Sequence, residues 1–381
     1  MSDNKIFNRA TLAIILCSTF PMLIVGCYFV HIPWNMQRLG LSESDLGLAI
    51  LIFGIFFLIS NQFSARFLVP RIGTKIVMSS AMILISFGTV LLVIVPNYTL
   101  FLVCSIPAGL GWGSSGPIGG IHAQLIEKHS KRIVTPYYAM GFNLGIFLGG
   151  ILAGYLISNN FTPWKAFLTL AFLGIAVSLI IYNYSLPKEM DFSGKGEKYN
   201  IPEKKVLIFG FLLFVIFGSG GIIMDWSPLW FTQELNAPLY LGGLGLMFYS
   251  FGGVIANLFS NQLIKIFNEK IVASIFVILG SSILFISILT MNIYIIMIAL
   301  LFYGFFIANF VPLVIRQAVR QSSESIPTTV SNLTTIGFSS TLFAPAAIGF
   351  VAEKYSLTIN MYALCFIVFI AGIIMFANFK K

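Results

Sequence analysis

Long stretches without a charged residue alternate along the chain with short polar connectors. The charge-free windows are residues 10–37, 46–65, 76–126, 133–164, 166–187, 206–224, 235–264, 271–315, 325–352 and 355–379. Each suits a helix that crosses a bilayer, which takes roughly 20 apolar residues. The two longest hold two spans each, parted at Pro96-Asn97-Tyr98 and at Met291-Asn292. The pattern predicts an all-α polytopic membrane protein with twelve transmembrane helices.

Charge orients these spans, because Lys and Arg collect in cytoplasmic loops. With the N-terminus inside, 19 of the 22 Lys and Arg residues fall in inside segments, and only Arg38, Lys165 and Lys354 fall outside. An odd number of spans would destroy that bias, so both termini are expected in the cytoplasm. The longest polar segment, LPKEMDFSGKGEKYNIPEKK, has the mixed charge and Gly/Pro content of a solvated linker. It divides the chain into an N-terminal six-helix bundle (1–185), a cytoplasmic linker (186–205) and a C-terminal six-helix bundle (206–381). An offset of 195 residues places IVM after Lys75 on IVA after Lys270, Pro117 on Pro312 and Gly109 on Gly304. One shared offset suggests two parallel six-helix pseudo-repeats, a symmetry known in transporters.

Composition excludes the soluble classes. The chain is 58% hydrophobic and 9% charged, against about 25% charged in a soluble globular chain. Its net charge of +9 comes without a basic stripe interleaved with aromatics, so no nucleic-acid partner is expected. Cys17, Cys27, Cys104 and Cys365 lie scattered in apolar runs and read as small buried residues, with no disulfide framework and no metal site. The N-terminal apolar run is too long for a signal-peptide core and reads as a first span.

One motif invites a different reading. Gly111, Gly113 and Gly116 in GLGWGSSGPIGG (109–120) have the G-x-G-x-x-G spacing of a dinucleotide loop. That loop needs a preceding strand and an acidic residue about 20 positions on, and residues 76–126 carry no charge at all. Unpaired backbone amides in hydrocarbon would also cost several kcal/mol each. Gly109, Gly113, Gly116 and Gly120 instead recur at spacings of four, three and four, one face of a helix, where small residues let helices approach closely. Pro117 removes one hydrogen bond and is expected to bend that helix. No cofactor is implied.

Local motifs then point to a family. ARFLVPRIGTK (65–75) resembles the G-x-x-x-D-R-x-G-R-K loop of the major facilitator superfamily, keeping Arg71, Gly73 and Lys75, with Arg66 at the first Gly position and Pro70 at the Asp position. GFNLGIFLGG (141–150) resembles the fifth-helix motif of drug–proton antiporters, with Ile146 in place of its Pro. HIPWNMQRLGLSESDLGLA (31–49), GGIIMDWSPLWF (220–231) and SNLTTIGFSSTLFAPAAIGFVAEKYSL (331–357) are similar to the YbjJ-like bacterial inner-membrane permeases. In those permeases an acid is frequent at the position of Gly220, an Arg at Asn257 and an Asp near Ile118. The resemblance implies a secondary transporter that moves a small organic solute by alternating access. In that superfamily spans 1, 4, 7 and 10 line the cavity. The candidate substrate-binding set is therefore Ser18, Trp112, Ser115, Asp225 with Trp226 beside it, and Asn309. The candidate gating set is Arg66, Arg71, Gly73 and Lys75, with Gly73 making the turn and Arg71 docking on neighbouring helix ends.

Charged groups within spans are rare here. His122 and Arg316 near inner ends, and His31 near an outer end, read as interfacial. Asp225 is the carboxylate the pattern holds inside a span, either as a proton or cation site or as a solvated helix end in an aromatic belt of Trp226 and Trp230. A proton is thus a candidate coupling ion, lipid the surroundings, and a monomer the expected state. Uptake, drug or metabolite efflux by antiport, and a non-transporting sensor on the same scaffold all remain open. No H-E-x-x-H motif, Ser–His pair or nucleotide-binding P-loop is present, so neither an enzyme nor an ATP-driven pump is expected.

Overall fold

The computed structural model describes residues 2–130, 134–191, 203–323 and 326–380, and among them every regular element is a helix. The chain divides into two compact units, Met1–Leu41 with Ala49–Glu197, and Ser42–Leu48 with Lys198–Lys381. The first half contains α1 (Ser2–Leu39), α2 (Glu43–Phe63), α3 (Val69–Ile94), α4 (Tyr98–Ser130), α5 (Thr135–Ser158) and α6 (Pro163–Tyr184). The second contains α7 (Lys204–Gln233), α8 (Leu244–Leu258), α9 (Ser260–Lys270), α10 (Phe276–Ile288), α11 (Ile293–Ile307), α12 (Phe310–Gln321), α13 (Ile326–Phe338), α14 (Ser340–Lys354) and α15 (Leu357–Asn378). Short π-helical turns, Ser64–Leu68 and Ile271–Ile275, precede α3 and α10.

Ten helical stretches among the described residues are long and apolar enough to cross a membrane, against the twelve expected from the sequence. Two places account for the difference. Glu43–Ile94 forms one run of 52 residues, although Gly73 leaves helical geometry inside it (φ 82°, ψ 163°). The 33-residue α4, diluted by its glycines and serines, is not among the ten.

Local sequence explains the connections. α1 ends where Gly40 takes φ +64°, and the Leu41 amide donates to Met36 O (3.0 Å), a Schellman closure. α2 then opens with a reciprocal box in which Ser42 Oγ accepts from Asp45 N (3.2 Å) and Asp45 Oδ2 accepts from Ser42 N (3.1 Å). Asn292 starts α11 by accepting from the amides of Tyr294 and Ile295. α15 has a stronger start: Glu234, just past α7, accepts from Leu357 N (2.5 Å), Thr358 N (2.9 Å) and Thr358 Oγ1 (2.5 Å). A carboxylate at a helix N-terminus is favoured by the orphan amides and the helix dipole. Glu234→Ala strips three donors of their acceptor and is expected to destabilise the protein by about 1–3 kcal/mol, read as a lower Tm in detergent, with Glu234→Gln intermediate.

Glycine sets the helix packing in the first unit. Gly141, Gly145 and Gly149 lie on one face of α5 against α1, where added Cβ atoms would overlap Ser18 Oγ, Thr19 O and Leu23 O. From the other side, a Cβ on Gly26 would stand 2.7 Å from Ile146 O. The fifth-helix motif therefore serves as a close-approach surface for α1, and Ile146, fully buried, presents its backbone to it. Buried Ile14, Cys17, Met78, Met82, Ile118 and Leu186 belong to the core that these helices enclose. In the second half, Gly252 and Gly304 bring α8 and α11 together on the backbones of Leu301 and Tyr249.

The solvated linker expected over 186–205 is not what the structure has before residue 192, and Lys204 and Lys205 already belong to α7. Residues 192–202 lie outside the described residues. Before them, Lys188–Met190 form one 3-10 turn, and Leu186 and Asp191 are buried rather than solvated. Polar contacts to α3 and α4 hold them there.

Candidate functional site

The cavity candidates of the first half sit on α1 and α4. Ser18 is buried and its hydroxyl donates to the carbonyls of Ile14 (3.2 Å) and Ile15 (3.1 Å) on its own helix. It lies in the α1–α5 contact, under Gly141. Ser115 is buried within hydrogen-bond reach of Cys17, so α4 meets α1 there through a thiol and a hydroxyl. Trp112 is half-buried, its ring 6.0 Å from Phe53 edge-on and 6.5 Å from Phe29. Of the three, Trp112 keeps the largest accessible apolar face.

The glycine face of α4 is narrower than its spacing suggested. A Cβ on Gly109 would overlap the carbonyl oxygen of Phe53, and one on Gly113 that of Phe57, so these two seat α4 directly on α2. Gly111 does the same on α3, with Ile85 N 2.7 Å away. A Cβ on Gly116 would find only the Tyr138 hydroxyl at 4.0 Å, and one on Gly120 nothing within 4 Å. Those two glycines are thus not part of the close contact. The side chain of Pro117 lies outside the described residues. Beside Gly113, the Ser114 hydroxyl is 2.5 Å from Ser60 Oγ and 2.9 Å from Ser64 Oγ, a polar seam that links α4 to α2 and the π turn.

In the second half, Asp225 occupies α7 one helical turn after Gly221, on the same face. A Cβ on Gly221 would meet nothing within 4 Å, and one on Gly220 would lie 3.6 Å from the Tyr249 hydroxyl. Asp225 is half-buried at this open strip of helix. Trp226 and Trp230 are fully buried, with Trp230 Nε1 donating to Thr358 Oγ1 (2.8 Å), so the aromatic-belt reading of this stretch is overturned. Both pack inside the unit, and Trp230 ties α7 to α15. Asn309 lies at a break: α11 ends at Ile307, α12 begins at Phe310, and the buried Asn309 side chain donates to Ala256 O (3.4 Å). Interrupted helices expose backbone groups at membrane depth and are tolerated where protein or a cavity receives them.

The gating candidates gather at the turn between α2 and α3. Gly73 makes it, in a backbone region that side chains other than glycine rarely enter. Arg71 is exposed; its guanidinium donates to Phe67 O (3.1 Å) and lies over the Phe67 ring, so it folds back on its own helix instead of docking on a neighbour. Lys75 places Nζ 4.0 Å over the Tyr182 ring of α6, and Arg66 is half-buried in the π turn. The docking falls to residues the sequence reading missed. Asp191 accepts from Thr74 Oγ1 (2.5 Å) and from Lys75 N (3.3 Å), and Thr74 Oγ1 is also 2.6 Å from His122 Nδ1. A carboxylate from beyond α6 thus stands at the turn where Pro70 replaces the motif's Asp. His122 is fully buried, and so is His31, whose Nδ1 bonds Cys27 O (2.8 Å); neither is interfacial. Arg316 pairs with Glu269, as does Arg320 at 2.9 Å.

Comparison with known proteins gives one family. The family model of the Major Facilitator Superfamily matches residues 14–339. An uncharacterized MFS-type transporter of Yersinia pestis is 25% identical over 333 residues, spanning 86% of this chain and 85% of that protein. The quinolone resistance protein NorA of Staphylococcus aureus is 24% identical over 172 residues, 45% of this chain and 44% of NorA. Among solved structures, a bacterial homolog of the human lysosomal transporter Spinster, inward-facing and occupied, superposes with a TM-score of 0.70 at 14% identity, covering 97% of this chain and 96% of that one. A point mutant of the nucleoside transporter NupG gives 0.70 at 12% identity, covering 97% and 100%.

Proposed function

The chain belongs to the major facilitator superfamily, and on that premise we propose that it is a monomeric secondary transporter carrying a small organic solute across the bacterial inner membrane by alternating access. Both ends lie in the cytoplasm, as the Lys and Arg asymmetry requires. Counting α4 as a span and dividing Glu43–Ile94 at Gly73 gives twelve helices in two six-helix repeats. The 195-residue offset supports the repeat in three places. Gly73 (φ 82°, ψ 163°) and Asn268 (φ 62°, ψ 160°) share one backbone conformation. Gly109 and Gly304 each lie against the backbone of a preceding helix. His122 and Gln317 each hold the backbone that leaves a sixth helix, at Leu186 and at Lys380.

Asp225 is the observation that carries the reading furthest. A carboxylate beside an open stretch of a membrane helix is expensive to keep and marks a solute or proton site by default. Trp112, Ser18 and Ser115 in the first unit, and Asp225 and Asn309 in the second, are each proposed to contact solute, while the fully buried Trp226 leaves that set; so few charges suit a neutral, zwitterionic or singly cationic solute. The solute is driven by its own gradient or by a proton that Asp225 takes up and gives back. Drug export is the second reading, and the similarity to NorA favours it; Gly141, Gly145 and Gly149 keep the spacing of the antiporter motif although Ile146 replaces its Pro.

A thermal-shift screen of the purified protein across metabolite and drug classes identifies the solute, since a ligand at 100 times its Kd stabilises by about 2.7 kcal/mol. The hit is then tested for accumulation in proteoliposomes with and without an imposed pH gradient. Asp225→Asn, which keeps the shape and removes the charge, is expected to lower accumulation at least tenfold and to abolish its pH dependence. Wild-type accumulation with wild-type pH dependence in that variant would reduce Asp225 to a structural residue.

A further inference from the structure

His122 sits at the C-terminal part of α4 with no exposed surface, and both ring nitrogens are engaged: Nδ1 with Thr74 Oγ1 (2.6 Å) and Nε2 with the amide of Leu186 (3.2 Å). The amide of Leu186 can only donate, so Nε2 carries a lone pair and the ring proton is on Nδ1. Nδ1–H then donates to Thr74 Oγ1, and the Thr74 hydroxyl donates to Asp191 Oδ1 (2.5 Å). The chain of bonds runs in one direction, from Leu186 through His122 and Thr74 to Asp191, and it closes only with a neutral imidazole. In the second unit the same task falls to a side chain that does not titrate. Gln317, 195 residues on and equally buried, donates from Nε2 to Lys380 O (3.0 Å) and accepts at Oε1 from Lys380 N (3.2 Å).

We propose that His122 is a proton-binding site, distinct from Asp225, and that its protonation releases the segment leaving α6. A proton arriving from solvent on Nε2 replaces the lone pair with an N–H that points at the Leu186 N–H, so two donors face one another and the Leu186 backbone must withdraw. Nδ1–H keeps its bond to Thr74, and the new positive charge faces Asp191 across that hydroxyl. The neighbouring elements supply no second carboxylate to this network among the described residues. From α3, Lys75 is turned onto the Tyr182 ring; from α1, Arg9 lies over the Tyr184 ring at 5.3 Å. From α5, Tyr138 donates its hydroxyl to Gly116 O (2.5 Å), and on α4 itself Glu127 accepts from Val134 N (2.6 Å). Because all these contacts lie within the first unit, the inference does not depend on which solute is carried.

The test is hydrogen exchange of the full-length protein in nanodiscs from pH 7.5 to 5.0, normalised to the intrinsic rate at each pH and resolved to single amides by fragmentation. Protection of the Leu186 amide is expected to fall at least tenfold over this range, while that of Lys380, held by Gln317, stays constant. His122→Gln, whose Oε1 accepts from Leu186 and whose Nε2 donates to Thr74, is expected to keep Leu186 protected at every pH. Protection in wild type that ignores pH overturns the proposal, as does a pH-dependent loss that persists in His122→Gln. Should that variant not fold, Asp191→Asn provides the second arm. Without the facing carboxylate the loss of protection is expected to move to lower pH, and an unmoved midpoint overturns the proposal.

Discussion

Gly113→Leu is expected to abolish recovery of folded protein, while Gly120→Leu leaves it intact. A Cβ at Gly113 would overlap the carbonyl oxygen of Phe57 and stand 2.8 Å from its carbon and 2.9 Å from its Cα. These are backbone atoms, so no rotamer change relieves the clash; α4 must move off α2. That movement would also part Ser114 from Ser60 and Ser64, and over-packing of this kind costs about 1–3 kcal/mol or more. Without a hydrophobic drive between helices in lipid, close packing is most of what holds α4 to α2, so little remains to offset the loss. Because the clash begins at the first carbon, Gly113→Ala is expected to lower the Tm as well, contrary to the tolerance of small residues that spacing alone suggests. Gly116→Ala, with only Tyr138 Oη at 4.0 Å, is expected to be near neutral. Size-exclusion profiles and Tm values of the four variants check this; equal tolerance at 113 and 120 would sink the packing account.

Gly73→Ala is the second large effect. Its φ of 82° and ψ of 163° lie in a region used almost only by glycine, where another residue stores about 1–3 kcal/mol of strain. The new methyl would also arrive 2.5 Å from Asp191 Oδ2, pushing that carboxylate away from Thr74 Oγ1 and the Lys75 amide. Asn268 bears the same geometry in the second unit and recovers part of the strain by accepting from Ile271 N (3.1 Å). The expected result for Gly73→Ala is a lower Tm together with lost amide protection at Lys75. A Tm within about one degree of wild type, with Lys75 still protected, would remove Gly73 from the list of structural determinants.

Several features were readable from residues alone because they follow from the solvent. The charge-free windows mark helices since hydrocarbon leaves the backbone no other partner, and Asn292 ends one run and starts the next by its own side chain. What hydropathy does not encode is which helix face meets which partner. GFNLGIFLGG was visible as a motif, but nothing in it names α1 as the helix it touches. Asp191 stands in a stretch rich in Gly, Pro and charge, the composition of a solvated linker, yet Thr74 and Lys75, 117 and 116 residues earlier, hold it buried. Likewise Trp226 and Trp230 have the composition of an interfacial belt, and only the position of Thr358 on α15 shows that they point inward. His122 had a signal that could have been found: the offset that pairs Gly109 with Gly304 pairs it with Gln317, another side chain able to accept from a backbone amide.

The glycine contact between α1 and α5 also constrains how the protein is made. Gly26 and the Gly145 turn that completes its surroundings are separated by roughly 120 residues, so a ribosome moving at about 5–20 residues per second delivers α5 roughly 6–24 s after α1. Throughout that interval the α1 face bearing Ser18, Thr19 and Gly26 has no helix to cover it, and three further helices are inserted meanwhile. This face of α1 therefore waits for its partner while α2, α3 and α4 are inserted, and a translocon or insertase is the natural shelter for it until α5 emerges.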